Sequence, residues 1–181
     1  MHDTVVLTSA CRKDEDISKT FIGVFAADEV PRKRPQNSCF IMNTDVASLP
    51  GTHWVAVYEN GAQREFFDSY GQKPSYYNPK LWKKFDCYDR NKDDLQQQTS
   101  DVCGDWCIFF LKERSDNTSF KAFLNKFRPG DQEYNDTQVY EIIHREFPLT
   151  LMEESHYSIV NQGARSRVAK SLKRKLGTMF L

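Results

Sequence analysis

The sequence predicts an α+β protein in which a small mixed sheet has flanking helices. In the first half of the chain, short runs rich in aromatic and β-branched residues are typical of strands. In the second half, apolar residues recur at helical spacing. No internal repeat or long low-complexity linker divides the 181 residues. We therefore expect one domain over residues 1–181, with a basic helix or tail over residues 164–181.

The composition predicts a soluble globular protein and excludes several other classes. Hydrophobic residues make up 39% and charged residues 28% of the chain, and Lys+Arg and Asp+Glu both number 25, so the net charge does not indicate nucleic-acid binding. The N-terminal apolar run is too short for a secretory signal, and no segment approaches the length of a membrane span. We expect a reducing compartment, in which the five cysteines are mostly thiols. Their positions do not match the ligand spacing of a zinc finger.

Three runs in the first half are predicted strands, at residues 38–44, 52–59 and 63–68. The preceding segment, F-I-G-V-F-A-A-D-E-V-P at residues 21–31, is predicted to be an ordered, turn-rich approach to the sheet. The P-R-K-R-P stretch that follows it is predicted to be a solvated basic loop.

Asn60-Gly61 lies between the last two predicted strands and indicates a tight hairpin, because a type I′ turn needs positive φ at both central residues. With these two as the loop residues, stepping back along both strands pairs His53 with Asp68. Directly opposed residues share a face, with Cβ atoms about 4.5–5.5 Å apart. The turn chemistry therefore predicts an imidazole beside a carboxylate at the open end of the hairpin.

Two helices are predicted near the end of the domain from apolar residues at helical spacing. One covers residues 120–127 and ends at Pro129-Gly130. The other opens at Asn135 or Asp136. Its inner face is expected to carry Val139, Tyr140, Ile143 and Phe147.

Cys103 is a candidate nucleophile because it begins a third predicted helix, with Asp101 as the expected cap. The free N–H groups and the dipole at a helix start favour a thiolate. Gly104 is expected to let the backbone approach a substrate closely. Taken alone, the Cys-Gly pair is equally compatible with a buried structural cysteine.

His53 and Asp68 are the candidate partners of that thiol. An imidazole with a pKa near neutrality can take the thiol proton or hold the thiolate as an ion pair. A carboxylate on the second ring nitrogen would orient the imidazole. The alternatives are a structural histidine and a turn carboxylate before Ser69.

The run L-Q-Q-Q-T-S precedes Cys103 and supplies a candidate oxyanion donor. Attack on an amide builds negative charge on the carbonyl oxygen, which a side-chain amide and the backbone N–H of the nucleophile can hold. Any one of the three glutamines, Gln96, Gln97 or Gln98, could be that donor. The remaining glutamines are expected to be exposed polar residues.

Four blocks in order resemble the adenovirus-type cysteine proteases (the adenain family), including those of adenovirus-like viruses and virus-like DNA transposons. They are F-I-G-V-F-A-A-D-E-V-P, G-T-H-W-V-A-V-Y, F-F-D-S-Y-G and L-Q-Q-Q-T-S-D-V-C-G-D-W-C, within residues 20–112. The order His, acid, Gln, Cys is shared with SUMO-specific proteases. The resemblance implies a fold of the adenain/SUMO-protease type with catalytic His53, Asp68, Gln96 and Cys103. The family glutamine lies seven residues before the cysteine, which selects Gln96, whereas the SUMO-protease spacing of six would select Gln97.

The resemblance also implies a function. It indicates a viral or virus-like thiol endopeptidase that cleaves structural precursor proteins during virion maturation, after a small residue such as Gly. The implied protein is a monomer of the virion and host nucleus that acts on polypeptides, with no membrane, no metal and no small-molecule cofactor. The alternatives are an isopeptidase specific for ubiquitin- or SUMO-like proteins and a non-enzymatic DNA-binding virion protein.

Two activators follow from the resemblance alone. The family enzyme is stimulated by a basic viral peptide that can form a disulfide, and Cys87 lies in the corresponding interval. The family enzyme also binds DNA, for which the basic tail is the matching feature here. A terminal helix with a solvated charged face is the alternative for that tail. Its candidate DNA contacts are Arg165, Arg167, Lys170, Lys173, Arg174 and Lys175.

Overall fold

Five strands in sequence order form the sheet of this protein, which we describe from a computed structural model for residues 2–147. The strands are β1 (Phe21–Phe25), β2 (Asn37–Asn43), β3 (Trp54–Asn60), β4 (Gln63–Phe67) and β5 (Asp89–Arg90). The helices are α1 (Thr4–Lys13), α2 (Pro74–Tyr77), α3 (Pro79–Trp82), α4 (Cys103–Ser115), α5 (Phe120–Leu124) and α6 (Gln132–Glu146). Short 3-10 helices lie at Ile17–Lys19 and Lys83–Phe85. The predicted basic tail, residues 164–181, lies outside the described residues.

The sheet is mixed, which confirms the predicted α+β class. β2, β3 and β4 form an antiparallel meander, and β1 and β5 join its two edges in parallel. The three predicted strands match β2, β3 and β4 to within two residues at each end. The prediction of a turn-rich approach from residue 21 was wrong at its start, because Phe21–Phe25 forms β1. Within residues 2–147, no helix has both the length and the apolar character that crossing a membrane requires.

The β3–β4 hairpin has a register two residues away from the predicted one. Asn60 pairs with Gln63, so the central turn residues are Gly61 and Ala62. Gly61 has a φ of 62°, and Ala62 does not have positive φ, as in a type II′ turn with glycine at the first central position. Continuing this register past the strand ends sets His53 opposite Tyr70 and not opposite Asp68. Because side chains alternate with a period of two, the shift keeps His53 and Asp68 on the same face.

The later helices also differ from the prediction at their ends. α5 is only five residues long. α6 begins at Gln132, because the side chain of Asp131 caps it by accepting a hydrogen bond from the Tyr134 N–H. The predicted openings, Asn135 and Asp136, are therefore buried residues inside α6. Val139, Ile143 and Phe147 are buried as predicted, but Tyr140 is 43% exposed.

Helix α4 packs across β3 and carries the core on this side of the sheet. Phe67 of β4 stacks on Phe110 of α4 with ring centroids 4.9 Å apart. Near the other end of α4, Arg114 Nε donates to Glu65 Oε2 of β4 at 2.6 Å, and both side chains are buried. These contacts hold α4 in one position on the sheet, which sets the location of its first residue, Cys103.

Candidate active site

His53 and Asp68 lie at the same end of the β3–β4 hairpin. His53 directly precedes β3, Asp68 directly follows β4, and His53 Nε2 is 2.7 Å from Asp68 Oδ1. Burial lowers the pKa of the His53 imidazole, but hydrogen bonds with Asp68 and Cys103 outweigh burial and raise that pKa to about 9. The two predicted partners are therefore in contact, and the imidazole favours its protonated form at neutral pH.

The Asp68 carboxylate is held by a set of donors besides the imidazole. Its Oδ1 accepts from the Tyr70 N–H at 3.0 Å, and its Oδ2 accepts from the Gln72 N–H at 3.0 Å and from the Tyr77 hydroxyl at 2.7 Å. The Asp68 side chain is fully buried. Hydrogen bonds to the charged form stabilise a buried carboxylate. The orientation of the His53 ring thus depends on a fixed acceptor.

Aromatic and amide residues complete this wall of the site. Tyr70 stacks on the His53 ring with centroids 4.5 Å apart. Asn91 Oδ1 accepts from the Asp68 N–H at 3.1 Å, and Asn91 Nδ2 donates to the Asp68 carbonyl. Sequence reasoning missed the contacts of Tyr77 and Asn91, because a short helix and a loop bring them to Asp68. Tyr70 lies in the F-F-D-S-Y-G block, but its stacking on His53 was not predicted.

Cys103 is the first residue of α4, and its thiol lies close enough to the His53 ring to help raise the pKa of that imidazole. Cys103 is 2% exposed. The predicted cap, Asp101, is wrong: the N-cap residue is Val102, whose side chain makes no capping hydrogen bond. The first N–H groups of a helix have no partner within the helix, so those of α4 that the Val102 side chain leaves uncapped can donate to an anion.

Gly104 has a different role from the one expected. A Cβ at this position would lie 3.0 Å from Leu7 Cδ2 and 3.2 Å from His2 Cδ2. Both distances are tighter than ordinary van der Waals contact. Glycine at residue 104 therefore lets α1 and the segment before it pack closely on the first turn of α4.

Gln96 and Gln97 differ in burial and in hydrogen-bond partners. Gln96 is fully buried, and its amide is oriented by Ser69, whose Oγ donates to Gln96 Oε1 at 2.6 Å. The Leu95 and Gln96 N–H groups also donate to the Ser69 carbonyl, at 2.8 and 3.1 Å. Because Ser69 follows Asp68, these bonds hold Gln96 close to the His53–Asp68 pair. The Gln96 Nε2 donates to the Ser100 carbonyl and to Ser100 Oγ, at 3.2 and 3.1 Å.

Gln97 has an exposed side chain, and its backbone takes part in a hydrogen-bonded link to α4 and α6. Its N–H donates to Asp136 Oδ2 at 3.0 Å, and Trp106 Nε1 donates to Asp136 Oδ1 at 2.8 Å. Asp136 of α6 thus joins the glutamine loop to α4. The exposure of Gln97 favours Gln96 as the oxyanion donor, and this assignment stays a prediction.

The predicted activator sites lie apart from these contacts or outside the described residues. Cys87 is exposed, and its thiol donates to the Lys84 carbonyl at 3.5 Å. The basic residues from Arg165 to Lys175 lie beyond residue 147. Both activator assignments stay predictions.

Comparison with known proteins links the chain to one kind of enzyme. No family model matches the sequence. The chain is 28% identical over 116 residues to a cysteine protease of African swine fever virus (isolate Tick/Malawi/Lil 20-1/1983), a match that covers 51% of this chain and 40% of that relative. The chain thus spans less than half of the length of the curated relative that it matches.

Two crystal structures of the African swine fever virus protease, one with selenomethionine, also align with this chain. Their TM-scores are 0.38 and 0.36, at 21% and 22% identity. Each alignment covers 57% of this chain, and 43% or 42% of the aligned protease chain. The sequence match is to a viral cysteine protease in general, and the adenovirus-type assignment stays a prediction.

Proposed function

We propose that this chain is a cysteine endopeptidase with Cys103 as nucleophile, His53 as acid and base, and Asp68 as the group that orients His53. The observation that carries the proposal is the His53 ring, which bonds the buried Asp68 carboxylate and lies close enough to the Cys103 thiol for that thiol to help raise its pKa. This arrangement of nucleophile, base and orienting group is the usual one for nucleophilic catalysis. The similarity to a viral cysteine protease supports the same conclusion.

The raised pKa of His53 suits the first step. An imidazole with a pKa of about 9 carries a positive charge at neutral pH, and that charge stabilises negative charge on the neighbouring sulfur. The Cys103 sulfur forms a bond to the scissile carbonyl carbon, and the carbonyl oxygen becomes an oxyanion. The Cys103 N–H and one N–H of Gln96 donate to this oxygen.

Collapse of the oxyanion breaks the carbon–nitrogen bond and leaves a thioester on Cys103. The protonated His53 gives its proton to the leaving amine, and the neutral ring is then a base. A water molecule loses a proton to His53 and attacks the thioester carbonyl. Breakdown of the second oxyanion releases the carboxyl product and returns the Cys103 sulfur and the protonated His53.

Gln96 has two N–H bonds, and its contacts inside the free protein go to Ser100. A substrate oxyanion would therefore compete with Ser100 for one of them. The Ser69 hydroxyl holds the Gln96 carbonyl oxygen, so the amide nitrogen keeps its direction during this exchange. Preorganised donors of this kind are effective because they need little reorganisation when charge develops.

The substrates belong to the same proposal. They are viral structural precursors that are cut after a small residue such as Gly, in the virion and the host nucleus, by a monomer. A basic peptide bound through Cys87 and DNA bound by the tail are the proposed activators. The viral origin of the matched relative supports the substrate class.

The experiment compares cleavage by the wild type and by Cys103→Ala. Both proteins are incubated with a proteome-derived peptide library and with the virus's structural precursors, each with and without DNA, and new N-termini are read by mass spectrometry. Cuts made only by the wild type support an endopeptidase. Equal cleavage by both proteins would overturn the proposal. Labelling of Cys103 by ubiquitin or SUMO suicide probes, without any endoproteolytic cut, would replace it with an isopeptidase.

A further inference from the structure

A second group of titratable side chains lies on the far side of the first turn of α4 and has no part in the proposed reaction. It consists of His2, Asp105 and His144. His2 precedes α1, Asp105 lies two residues after Cys103, and His144 lies in the last turn of α6. The group thus joins three segments that are far apart in the chain.

The donor atoms of this group converge. His2 Nε2 is 2.6 Å from Asp105 Oδ1, and His144 Nε2 is 4.0 Å from the same oxygen. All three atoms lie within 4.8 Å of one another. Ligand atoms of a tetrahedral zinc ion, with bonds of about 2.0–2.1 Å, lie about 3.3 Å apart. Shifts of about 1 Å or less in these side chains would bring the donors to that spacing.

The His144 side chain gives an independent reason to expect a ligand. Its Nε2 atom is buried and has no hydrogen-bond partner among residues 2–147. Tyr140, one helical turn earlier, stacks on the ring with centroids 3.9 Å apart, so the ring orientation is fixed. Buried polar nitrogens nearly always have a partner, and this one faces the Asp105 carboxylate.

We propose that His2 Nε2, His144 Nε2 and a carboxylate oxygen of Asp105 bind one divalent transition-metal ion. Two imidazoles and one carboxylate suit Zn²⁺, with a water molecule in the fourth position.

The bound ion would cross-link the segment before α1, the first turn of α4 and the last turn of α6. Gly104 lies in the same turn, packed against His2. The ion would therefore fix the helix start that carries Cys103 without touching a substrate. The ion would thus position Cys103 and take no part in the chemical steps.

The test measures metal binding by the full-length chain with Cys103→Ala and Cys87→Ser, which removes the candidate nucleophile and the exposed thiol. Metal-stripped protein is dialysed against Zn²⁺, and bound zinc is counted by mass spectrometry. We expect about one ion per chain and a rise in Tm of about 5–10 °C at a hundredfold excess over Kd. Co²⁺ in place of Zn²⁺ should give visible absorption bands from a nitrogen and oxygen site of low coordination number.

Two variants and one control locate the ion. Asp105→Asn keeps the size of the side chain and an oxygen for His2 but removes the charge, and His144→Ala removes a ligand. Each should weaken binding by at least about tenfold. His53→Ala removes an imidazole outside the cluster and should leave the affinity unchanged. Circular dichroism checks that each variant is folded.

Three results would overturn the proposal. They are no stoichiometric binding by the parent chain, equal affinity in the folded Asp105→Asn variant, and loss of binding in His53→Ala.

Discussion

Two buried histidine–carboxylate pairs lie on either side of the first turn of α4, and their geometry is nearly the same. His53 Nε2 is 2.7 Å from Asp68 Oδ1, and His2 Nε2 is 2.6 Å from Asp105 Oδ1. In both pairs the carboxylate side chain is at most 3% exposed. The short distance and the burial alone therefore cannot distinguish an acid–base group from a structural or metal-binding pair.

The surroundings distinguish the two pairs. Asp68 accepts hydrogen bonds from two backbone N–H groups and a tyrosine besides His53, and the Cys103 thiol helps to raise the pKa of the His53 ring. Asp105 instead faces a second imidazole, that of His144. A pair can move protons in catalysis only when its imidazole reaches a reacting group. The first pair does so in the proposed mechanism.

Loss of the imidazole in each pair gives the largest expected contrast. His53→Gln should lower kcat/KM by at least about 10³-fold, because no other group transfers the proton between Cys103 and the leaving amine. His2→Gln leaves that transfer in place, so its kcat/KM should fall far less. Initial rates on one cleaved peptide measure both variants. Similar losses in the two variants would show that the pairs do not differ in role.

Loss of the oxyanion donor has the second-largest expected effect on the rate. Gln96→Ala should lower kcat by about 10²–10³-fold with little change in KM, since its N–H acts on charge that develops in the transition state. Gln97→Ala is the matched control, because it removes an exposed amide of the same kind. Steady-state kinetics separate kcat from KM. A larger loss of kcat in Gln97→Ala would instead identify Gln97, six residues before Cys103, as the donor.

Support of Asp68 by Tyr77 has a smaller expected effect. Tyr77→Phe removes the hydroxyl that donates to Asp68 Oδ2 and should lower kcat by about tenfold, because the carboxylate and the His53 ring lose a fixed orientation. Tyr76→Phe is the control, since Tyr76 is 64% exposed. Peptide hydrolysis at one pH measures both. An unchanged rate in Tyr77→Phe would mean that the backbone donors suffice to hold Asp68.

The dependence of stability on pH is a further predicted difference, which is read from unfolding and not from activity. The pKa of His53 is raised from 6.5 to about 9 in the folded protein. Protonated His53 therefore stabilises the folded protein fully below pH 6.5. This contribution is lost as the pH rises through 9, so the free energy of unfolding falls by up to about 3 kcal/mol. Urea unfolding at pH 6 and pH 9.5 should show this loss in the wild type and not in His53→Gln. Equal pH dependence in the two proteins would contradict the raised pKa.

Local patterns predicted the parts of the site that depend on strands and helix starts. The Asn60-Gly61 signal located the hairpin, and although the register moved by two residues, His53 and Asp68 kept a common face. The predicted strands and the start of α4 at Cys103 were correct. These features depend on side-chain periodicity, which the sequence carries directly.

The sequence-based predictions were wrong or incomplete where tertiary contacts determine the local structure. β1 was missed because its strand run contains Gly23 and leads into a turn segment, and its pairing with β2 is formed by residues distant in sequence. Asp101 did not become the cap, since α4 begins one residue later than a cap at Asp101 requires and has Val102 at its N-cap position. Tyr77 and Asn91 reach Asp68 through loops, and such long-range hydrogen bonds leave no periodic trace in the sequence.

The most direct test of the central claim is the rate of iodoacetamide alkylation at each cysteine at pH 6.5, read by mass spectrometry. The wild type, His53→Gln and Gln96→Ala are compared. The account predicts that Cys103 reacts faster than the exposed Cys87 in the wild type and in Gln96→Ala, and loses this advantage in His53→Gln. If Cys103 reacts more slowly than Cys87 in the wild type, or is unaffected by His53→Gln, His53 does not activate Cys103 and the proposed mechanism is wrong.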